Sequence, residues 1–178
     1  MSEESSILVG CLGSVAWVRV QGTANHENAN CIRQFLRSRF EKGWRKFVVD
    51  LEESKGIDST FIGMLYQLAA DVAEEDEEDG LVEIINPGER NERSIRKLGL
   101  DALIQIDSDG LRWKEERELV RENMMQPVSC PPVSKQAHTE MVLEAHEALA
   151  AANEENEKRF CDVLEFLRQD LETQKTEN

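Results

Sequence analysis

The sequence predicts an α/β fold in which helices pack on a mixed β-sheet, followed by a C-terminal helical extension. Two observations predict this fold. Short apolar runs rich in β-branched residues alternate with segments of helical periodicity through about residue 110. Residues 134–175 then keep a helical pattern without glycine or proline. Strands that alternate with helices favour parallel pairing, so we expect a mostly parallel sheet covered by helices.

Short apolar segments are predicted as strands at residues 7–11, 15–21, 46–51, 81–85 and 102–106. The first two flank the turn-like Leu12-Gly13-Ser14, which predicts an antiparallel hairpin. The third segment is apolar almost throughout, as is typical of a central strand. The last is predicted as an edge strand.

Three helices are predicted among these strands. The first extends to about Glu41, with Asn25 as a candidate N-cap. The second begins at about Ser59 and carries an apolar stripe. The third, ERNERSIRKLGL, is short and ends at Gly99.

The chain is predicted to have three parts. Residues 1–110 form the α/β domain. Residues 111–133 combine a charged helix, LRWKEERELVREN, with a linker that holds three of the four prolines. Residues 134–178 form a helical tail.

The tail contains two apolar seams separated by the polar segment EENEK. They consist of Met141, Ala145, Ala148 and Ala152, and of Phe160, Leu164, Leu167 and Leu171. Their spacing is typical of a coiled coil or an antiparallel helix pair, and the polar gap leaves open whether the tail is one long helix or two. An apolar seam needs a partner, so a homodimer through residues 134–178 is a hypothesis.

Composition excludes several classes of function. The net charge of −15 argues against direct binding of nucleic acid or of an anionic membrane. No apolar run is long enough to span a bilayer, and the acidic N-terminus does not resemble a signal peptide, so we expect a cytoplasmic protein. The four scattered cysteines are predicted to be reduced, packed thiols.

Asp58-Ser59-Thr60 lies where a strand gives way to a helix. Either of the first two side chains can cap the helix, which is worth about 1 kcal/mol. A phosphate on Ser59 would also be stabilised there, because the N–H groups at a helix start are unpaired and the dipole is positive. It would add a charge of roughly −1.5 to −2, which would repel an acidic partner. The physics favours the capping interpretation, since Ser and Asp are common at helix starts.

The run VVDLEESKGIDSTFIGML resembles the signature region of STAS domains, the family of bacterial anti-sigma factor antagonists. The matching pattern is an apolar strand ending in Asp-Leu, a short gap, and Asp-Ser-Thr before a glycine-containing helix. It is carried by Val48, Val49, Asp50, Leu51, Ile57, Asp58, Ser59, Thr60 and Gly63. VRVQGTAN and LVEIINPGERNERSIRKLGLDALIQI are also similar to the family's flanking elements, so the resemblance covers about residues 7–107.

The resemblance implies a binding module that works by partner switching. In the family, the serine after the aspartate is phosphorylated by a partner serine kinase of the histidine-kinase-like ATPase fold, which is also the anti-sigma factor. The unphosphorylated domain binds the kinase and frees the sigma factor, and phosphorylation reverses this. Carried over, the phosphoacceptor is Ser59, with Thr60 as a second candidate. The chain itself is then not an enzyme and needs no cofactor.

The implied partner-binding residues are Asn25, Asp58, Ser59, Thr60, Phe61 and Gly63. Asn25 replaces the family's turn acid. Phe61 stands where many relatives carry glycine, and is either core or an exposed anchor. Gly63 allows close approach by a partner or by the sheet, or reflects tight internal packing.

Two other functions stay open: an adapter for the ATPase subunit of an ABC transport system, and a scaffold subunit assembled through the tail. We find no catalytic constellation and no metal motif. His26, His138 and His146 are expected at the surface, although the last two are two turns apart and share a helix face if the tail is helical.

Overall fold

The structure is a computed structural model that describes residues 5–76, 78–123 and 125–176. The extreme N-terminus, on which the signal-peptide prediction rests, lies outside these residues. The strands are β1 (Ser6–Leu12), β2 (Val15–Ala24), β3 (Lys46–Asp50), β4 (Ser54–Ile57), β5 (Leu81–Ile85), β6 (Gln105–Asp107) and β7 (Gln126–Pro127). The α-helices are α1 (Ala29–Glu41), α2 (Ser59–Glu75), α3 (Gly88–Lys97), α4 (Lys114–Asn123), α5 (Lys135–Ala152) and α6 (Glu154–Thr176).

These strands form one mixed sheet, as predicted. Its order is β6-β5-β3-β2-β1-β7, and β4 pairs with the far end of β2. The β1–β2 and β1–β7 pairs are antiparallel, whereas β2–β3, β2–β4, β3–β5 and β5–β6 are parallel. The carboxyl ends of β2 and β4 therefore lie side by side where α1 and α2 begin.

Several sequence predictions need correction. Strands β4 and β7 were not predicted, because both are short and polar and lie in segments interpreted as loop and linker. The strand predicted at 102–106 begins only at Gln105, because Leu100–Ala102 form a 3₁₀ turn. Asn25 does not cap α1, which begins four residues later with Asn28 at the N-cap position.

The two faces of the sheet bury separate apolar clusters. Alternate residues of β2, such as Val18 and Val20, face the main core with Phe47 and Val49 of β3. Trp17 and Val48 face the other side, where α4 covers them with Val120. The sheet is therefore enclosed on both faces.

Two buried carboxylates attach the α4 region to the second face of the sheet. Asp50 of β3 is 1 % exposed, and its Oδ2 lies 2.5 Å from an Arg121 guanidinium nitrogen. Glu83 of β5 is fully buried and accepts a hydrogen bond from Trp113 Nε1 at 2.6 Å. Trp113 also packs edge-on against Trp17, with ring centroids 5.6 Å apart. Each buried charge thus has a partner from the segment after residue 110.

The tail folds back as two helices, so the single-helix alternative is wrong. Asn153 breaks the helical path between α5 and α6. Asn156 at the start of α6 donates to the Leu149 carbonyl oxygen, and Thr139 near the start of α5 accepts from Gln174 near the end of α6. These contacts define an antiparallel pair, called the tail hairpin below (residues 135–176).

The apolar seams of the tail hairpin are covered by the chain itself. Met141, Ala145 and Leu149 of α5 are buried, as are Phe160 and Leu164 of α6. Leu149, Phe160 and Leu164 belong to the main core. These buried seam residues therefore have a partner within the chain, and a homodimer through residues 134–178 would have to use other residues of the tail.

The prediction of four reduced thiols is also wrong for one pair. Cys31 of α1 and Cys130 are joined by a disulfide, with Cα atoms 4.8 Å apart. Cys11 and Cys161 are free thiols. The two paired residues are 99 positions apart in the sequence, and no local spacing signals their contact.

Replacing Arg121 with methionine should destabilise the fold by about 3 kcal/mol, because it leaves the buried Asp50 carboxylate without its cation. Arg96→Met is the matched control. It removes an exposed ion pair with Glu92, which solvent screens, and should have a much smaller effect. Equal free energies of unfolding by urea titration for the two variants would contradict this role of Arg121.

Candidate functional site

The candidate site lies at the start of α2, where Asp58 fixes the helix. Asp58 has extended backbone angles, and its Oδ1 accepts the Phe61 N–H at 2.9 Å. Its Oδ2 accepts the His26 N–H at 2.8 Å. Asp58 thus caps α2 and ties it to the turn before α1. The capping role belongs to Asp58, and the Ser59 hydroxyl is not needed for it.

The Ser59 hydroxyl is bonded to the tail hairpin. Its Oγ lies 2.9 Å from His146 Nε2 of α5, and His146 Nδ1 lies 2.7 Å from the Val142 carbonyl oxygen. A carbonyl only accepts, so Nδ1 carries a proton, and in the corresponding neutral tautomer Nε2 accepts from Ser59. His146 is 6 % exposed and packs edge-on against Phe160. The prediction of a surface histidine is wrong at this position.

Gly63 is the point of closest approach between α2 and α5. A Cβ atom at this position would lie 2.2 Å from the Ala145 carbonyl oxygen, and its three nearest neighbours would all be Ala145 atoms. A side chain here would overlap the α5 backbone. Of the alternatives for Gly63, the structure shows tight internal packing, and the packed element is the tail rather than the sheet.

Two of the predicted partner-binding residues point inward. Phe61 is fully buried in the main core, which agrees with the core interpretation and not with an exposed anchor. Thr60 is 3 % exposed. Ser59 is half-buried and therefore the more accessible of the two hydroxyl residues.

Asn25 lies beside this helix start without capping a helix. Its carbonyl oxygen accepts the N–H groups of Asn28 and Ala29 at 3.1 and 2.8 Å, and its side chain accepts the Glu27 N–H. The His26–Asp58 hydrogen bond connects this turn to α2. The structure therefore brings Asn25, Asp58 and Ser59 to one end of the sheet, and Gly63 one turn further along α2.

The tail contributes further residues to this site that the sequence did not predict. Glu144 of α5 forms an ion pair with Arg33 of α1, and its carbonyl oxygen accepts from Gln67 at 3.2 Å. His138 Nε2 lies 2.9 Å from the His26 carbonyl oxygen. The only sequence signal for these contacts was the spacing of His138 and His146 by two helical turns, which places them on one face of α5. This spacing does not show what packs against that face.

A cleft of about 230 Å³ opens next to Ser59. Its lining residues come from three helices: Ser59, Ser94, Lys97, Leu98, Arg159 and Phe160. Lys97 is exposed near the end of α3, and Arg159 of α6 pairs with Glu155. The cleft therefore places two cationic side chains near the serine.

Neither a metal centre nor a membrane span is found in the part of the chain that the structure describes. No group of three or more His, Cys, Asp and Glu side chains there is arranged to hold a metal ion. No helix among these residues combines the length and the apolarity needed to cross a membrane.

A family model of the STAS domain matches residues 7–110, which is more than half of the chain. The chain therefore belongs to the STAS domain family, and the sequence resemblance is confirmed. None of the curated proteins compared with it is significantly similar in sequence.

Solved structures share the fold. A proposed anti-sigma factor antagonist from Thermotoga maritima is 23% identical with a TM-score of 0.52, covering 64% of this chain and 92% of that one. The anti-sigma factor antagonist SpoIIAA in its unphosphorylated form is 16% identical, with a TM-score of 0.51 and coverage of 65% and 98%. Phosphorylated SpoIIAA of Bacillus is 15% identical, with a TM-score of 0.50 and coverage of 66% and 100%. Identities this low establish a common fold only.

Asp58→Ala should lower the free energy of unfolding by about 1 kcal/mol, because the Phe61 N–H loses its acceptor. Asp58→Asn is the control: asparagine caps helices about as well as aspartate but loses the bond from the His26 N–H, so its loss should be smaller than that of Asp58→Ala. Equal losses for the two variants in a urea titration would show that the His26 contact or the carboxylate charge, and not the cap, carries the effect.

Proposed function

We propose that this protein is a non-enzymatic signalling module that binds a protein partner at the start of α2 and is switched by phosphorylation of Ser59. The observation that carries the proposal is the position of this serine. It is the first residue of α2, directly follows the capping Asp58, and adjoins a cleft instead of the core. It holds this position within a STAS domain.

The surroundings of Ser59 favour a phosphate. The first N–H groups of a helix are unpaired within the helix, and its dipole is positive at that end. Lys97 and Arg159 line the adjoining cleft and carry positive charge. The negative charge of Asp58, the neighbouring residue, would repel a phosphate on Ser59. Attraction by the helix start and the two cations, set against this repulsion, suits a modification that the folded domain tolerates but that changes its surface charge.

The proposed partner is a serine kinase of the histidine-kinase-like ATPase fold that also acts as an anti-sigma factor. In this mechanism the unmodified module binds the kinase, and a phosphate of roughly −1.5 to −2 charge weakens that complex. SpoIIAA, which shares the fold, has been solved in unphosphorylated and phosphorylated forms. The partner catalyses the phosphorylation, and the module is its substrate. We place both proteins in the cytoplasm.

A scaffold role through the tail is the second candidate. It is favoured by two apolar side chains on the outer face of α6, since Phe166 is 68 % exposed and Val163 is 39 % exposed. An adapter role for a transport ATPase would use the same face of α2 as the kinase, and only the identity of the bound protein separates those two functions.

The direct test is to isolate the protein from its host with its bound partners and to map phosphate by peptide mass spectrometry. Phosphate on Ser59, with a kinase of this fold bound only to the unmodified form, is the expected result. An unmodified Ser59 under all growth conditions, with a transport ATPase or only further copies of the chain bound, would refute the proposal.

Ser59→Asp should weaken binding of that kinase by about tenfold or more, because it adds a negative charge at the docking face. Ser59→Asn is the matched control, since it is similar in size and uncharged. Affinities measured by calorimetry should fall for the aspartate variant well below those of the asparagine variant. Equal affinities would contradict a charge-operated switch.

A further inference from the structure

The face of α2 that carries Ser59 and Gly63 is covered by α5 of the same chain. We propose that the tail hairpin is a built-in occupant of this docking face, which must move away before a partner reaches Ser59. This inference rests on the proposed function for the identity of the partner. The occlusion itself follows from the contacts described above, and it can be tested without the partner.

The closest contact leaves no room for a third molecule. Gly63 has no side chain, and the Ala145 carbonyl oxygen lies 2.2 Å from the position that its Cβ would take. A partner helix that packs on this part of α2 would have to take the place of α5. The hairpin and a partner therefore compete for one surface.

The Ser59 hydroxyl is engaged by the same helix. Its oxygen is hydrogen-bonded to His146 Nε2 at 2.9 Å, and His146 is buried beside Phe160 of α6. Transfer of a phosphoryl group needs this oxygen exposed to an approaching nucleotide and its hydrogen bond broken. With α5 in place Ser59 is half-buried and bonded to His146, so movement of α5 away from α2 meets both requirements at once.

Several contacts of α5 with the domain are polar, and these contacts make its release feasible. Glu144 pairs with Arg33 and accepts from Gln67, and His138 contacts the His26 carbonyl oxygen. These groups regain hydration when the surfaces separate, as in interfaces that open and close. The buried Leu149, Phe160 and Leu164 supply the apolar contact that favours the closed state.

The tail hairpin is anchored to the sheet just before α5, so it stays close to the domain after it is released from α2. Pro127 of β7 lies opposite Leu8 of β1, and the Val128 N–H donates to the Ile7 carbonyl oxygen. The Cys31–Cys130 disulfide adds a second anchor, so only residues 131–134 separate the anchored chain from α5. A short tether keeps the effective concentration of the hairpin high, so it returns to the face unless a partner competes with it.

The inference is tested by measuring access to position 59 directly. Ser59→Cys places a thiol there, and its alkylation rate is read by peptide mass spectrometry against the exposed Cys161 as internal reference. In this background, Gly63→Ala should raise the rate at position 59 by about tenfold or more, since its methyl group displaces α5 and exposes the site. Alanine favours a helix interior more than glycine does, so α2 itself is not weakened.

Gly56→Ala is the matched control, because a Cβ at Gly56 meets no atom within 4 Å. It should leave the rate unchanged. Hydrogen exchange of the same samples should show residues 135–176 losing protection with Gly63→Ala while the core strand β3 keeps it. Equal alkylation rates for both glycine variants, with the hairpin still protected, would overturn the inference.

Ala145→Leu gives an independent test if Gly63→Ala prevents folding, because it places the added bulk on the hairpin. It too should accelerate alkylation at position 59, and an unchanged rate would overturn the inference. The outcome is separate from that of the proposed function. If neither Gly63→Ala nor Ala145→Leu accelerates alkylation, but the host protein carries phosphate on Ser59, only the occlusion by the tail hairpin is refuted. If both variants accelerate alkylation, but no phosphate is found on Ser59 under any condition, only the proposed phosphorylation switch is refuted.

Discussion

The approach of α5 to α2 at Gly63 and Ala145 determines how the rest of the site is arranged. Because glycine lets the two helices come into backbone contact, the next residue of α5, His146, reaches the Ser59 hydroxyl. The same approach carries Leu149 and, through the turn at Asn153, Phe160 of α6 into the core. The absence of a side chain at Gly63 therefore allows the tail to contact Ser59, the serine of the signature motif.

The position of Ser59 depends in turn on Asp58 and on the sheet. Parallel pairing of β2 with β4 brings the turn after β2 next to the start of α2. Asp58 links them, since one of its carboxylate oxygens caps α2 and the other accepts the His26 N–H. The opposite face of the sheet is closed by α4 and held by Asp50 and Arg121. The candidate site is thus confined to the face on which the tail also packs.

The sequence predicted most of the fold because the strands and the core-facing stripes leave periodic patterns. The segments around Val48 and Ile84 were identified correctly for this reason, and the motif around Asp58 identified the family. Strand β4 was missed because Ser54–Ile57 contains a lysine and a glycine and shows no apolar alternation. A two-residue strand such as β7 leaves no pattern at all.

The site was predicted less completely than the fold, because periodicity reveals an apolar face but not what covers it. The tail seams suggested a second chain, whereas the cover is the chain's own domain. His146 was expected at the surface because its burial depends on a contact with Ser59, 87 positions earlier in the sequence. The Cys31–Cys130 pair escaped prediction for the same reason. Contacts between distant segments follow from the packing of whole elements, which a single sequence does not specify.

The central claim is that the tail hairpin covers α2 within one chain, and paramagnetic broadening in NMR spectra tests it most directly. A nitroxide on Cys161, with Cys11→Ser to make the label unique, sits next to Phe160 beside the Ser59 cleft. The hydrogen bond to Asp162 raises the pKa of the Cys161 thiol, so labelling is best done in mildly alkaline buffer. In a labelled, isotope-enriched chain, the amide signals of residues 59–63 at the start of α2 should broaden, because Ser59 and Phe160 line the same cleft. They should stay sharp in a mixture of enriched unlabelled chains and labelled unenriched chains. Broadening in the mixture would mean that the hairpin covers a neighbouring chain, and no broadening in either sample would mean that α2 is uncovered; either result would contradict the claim.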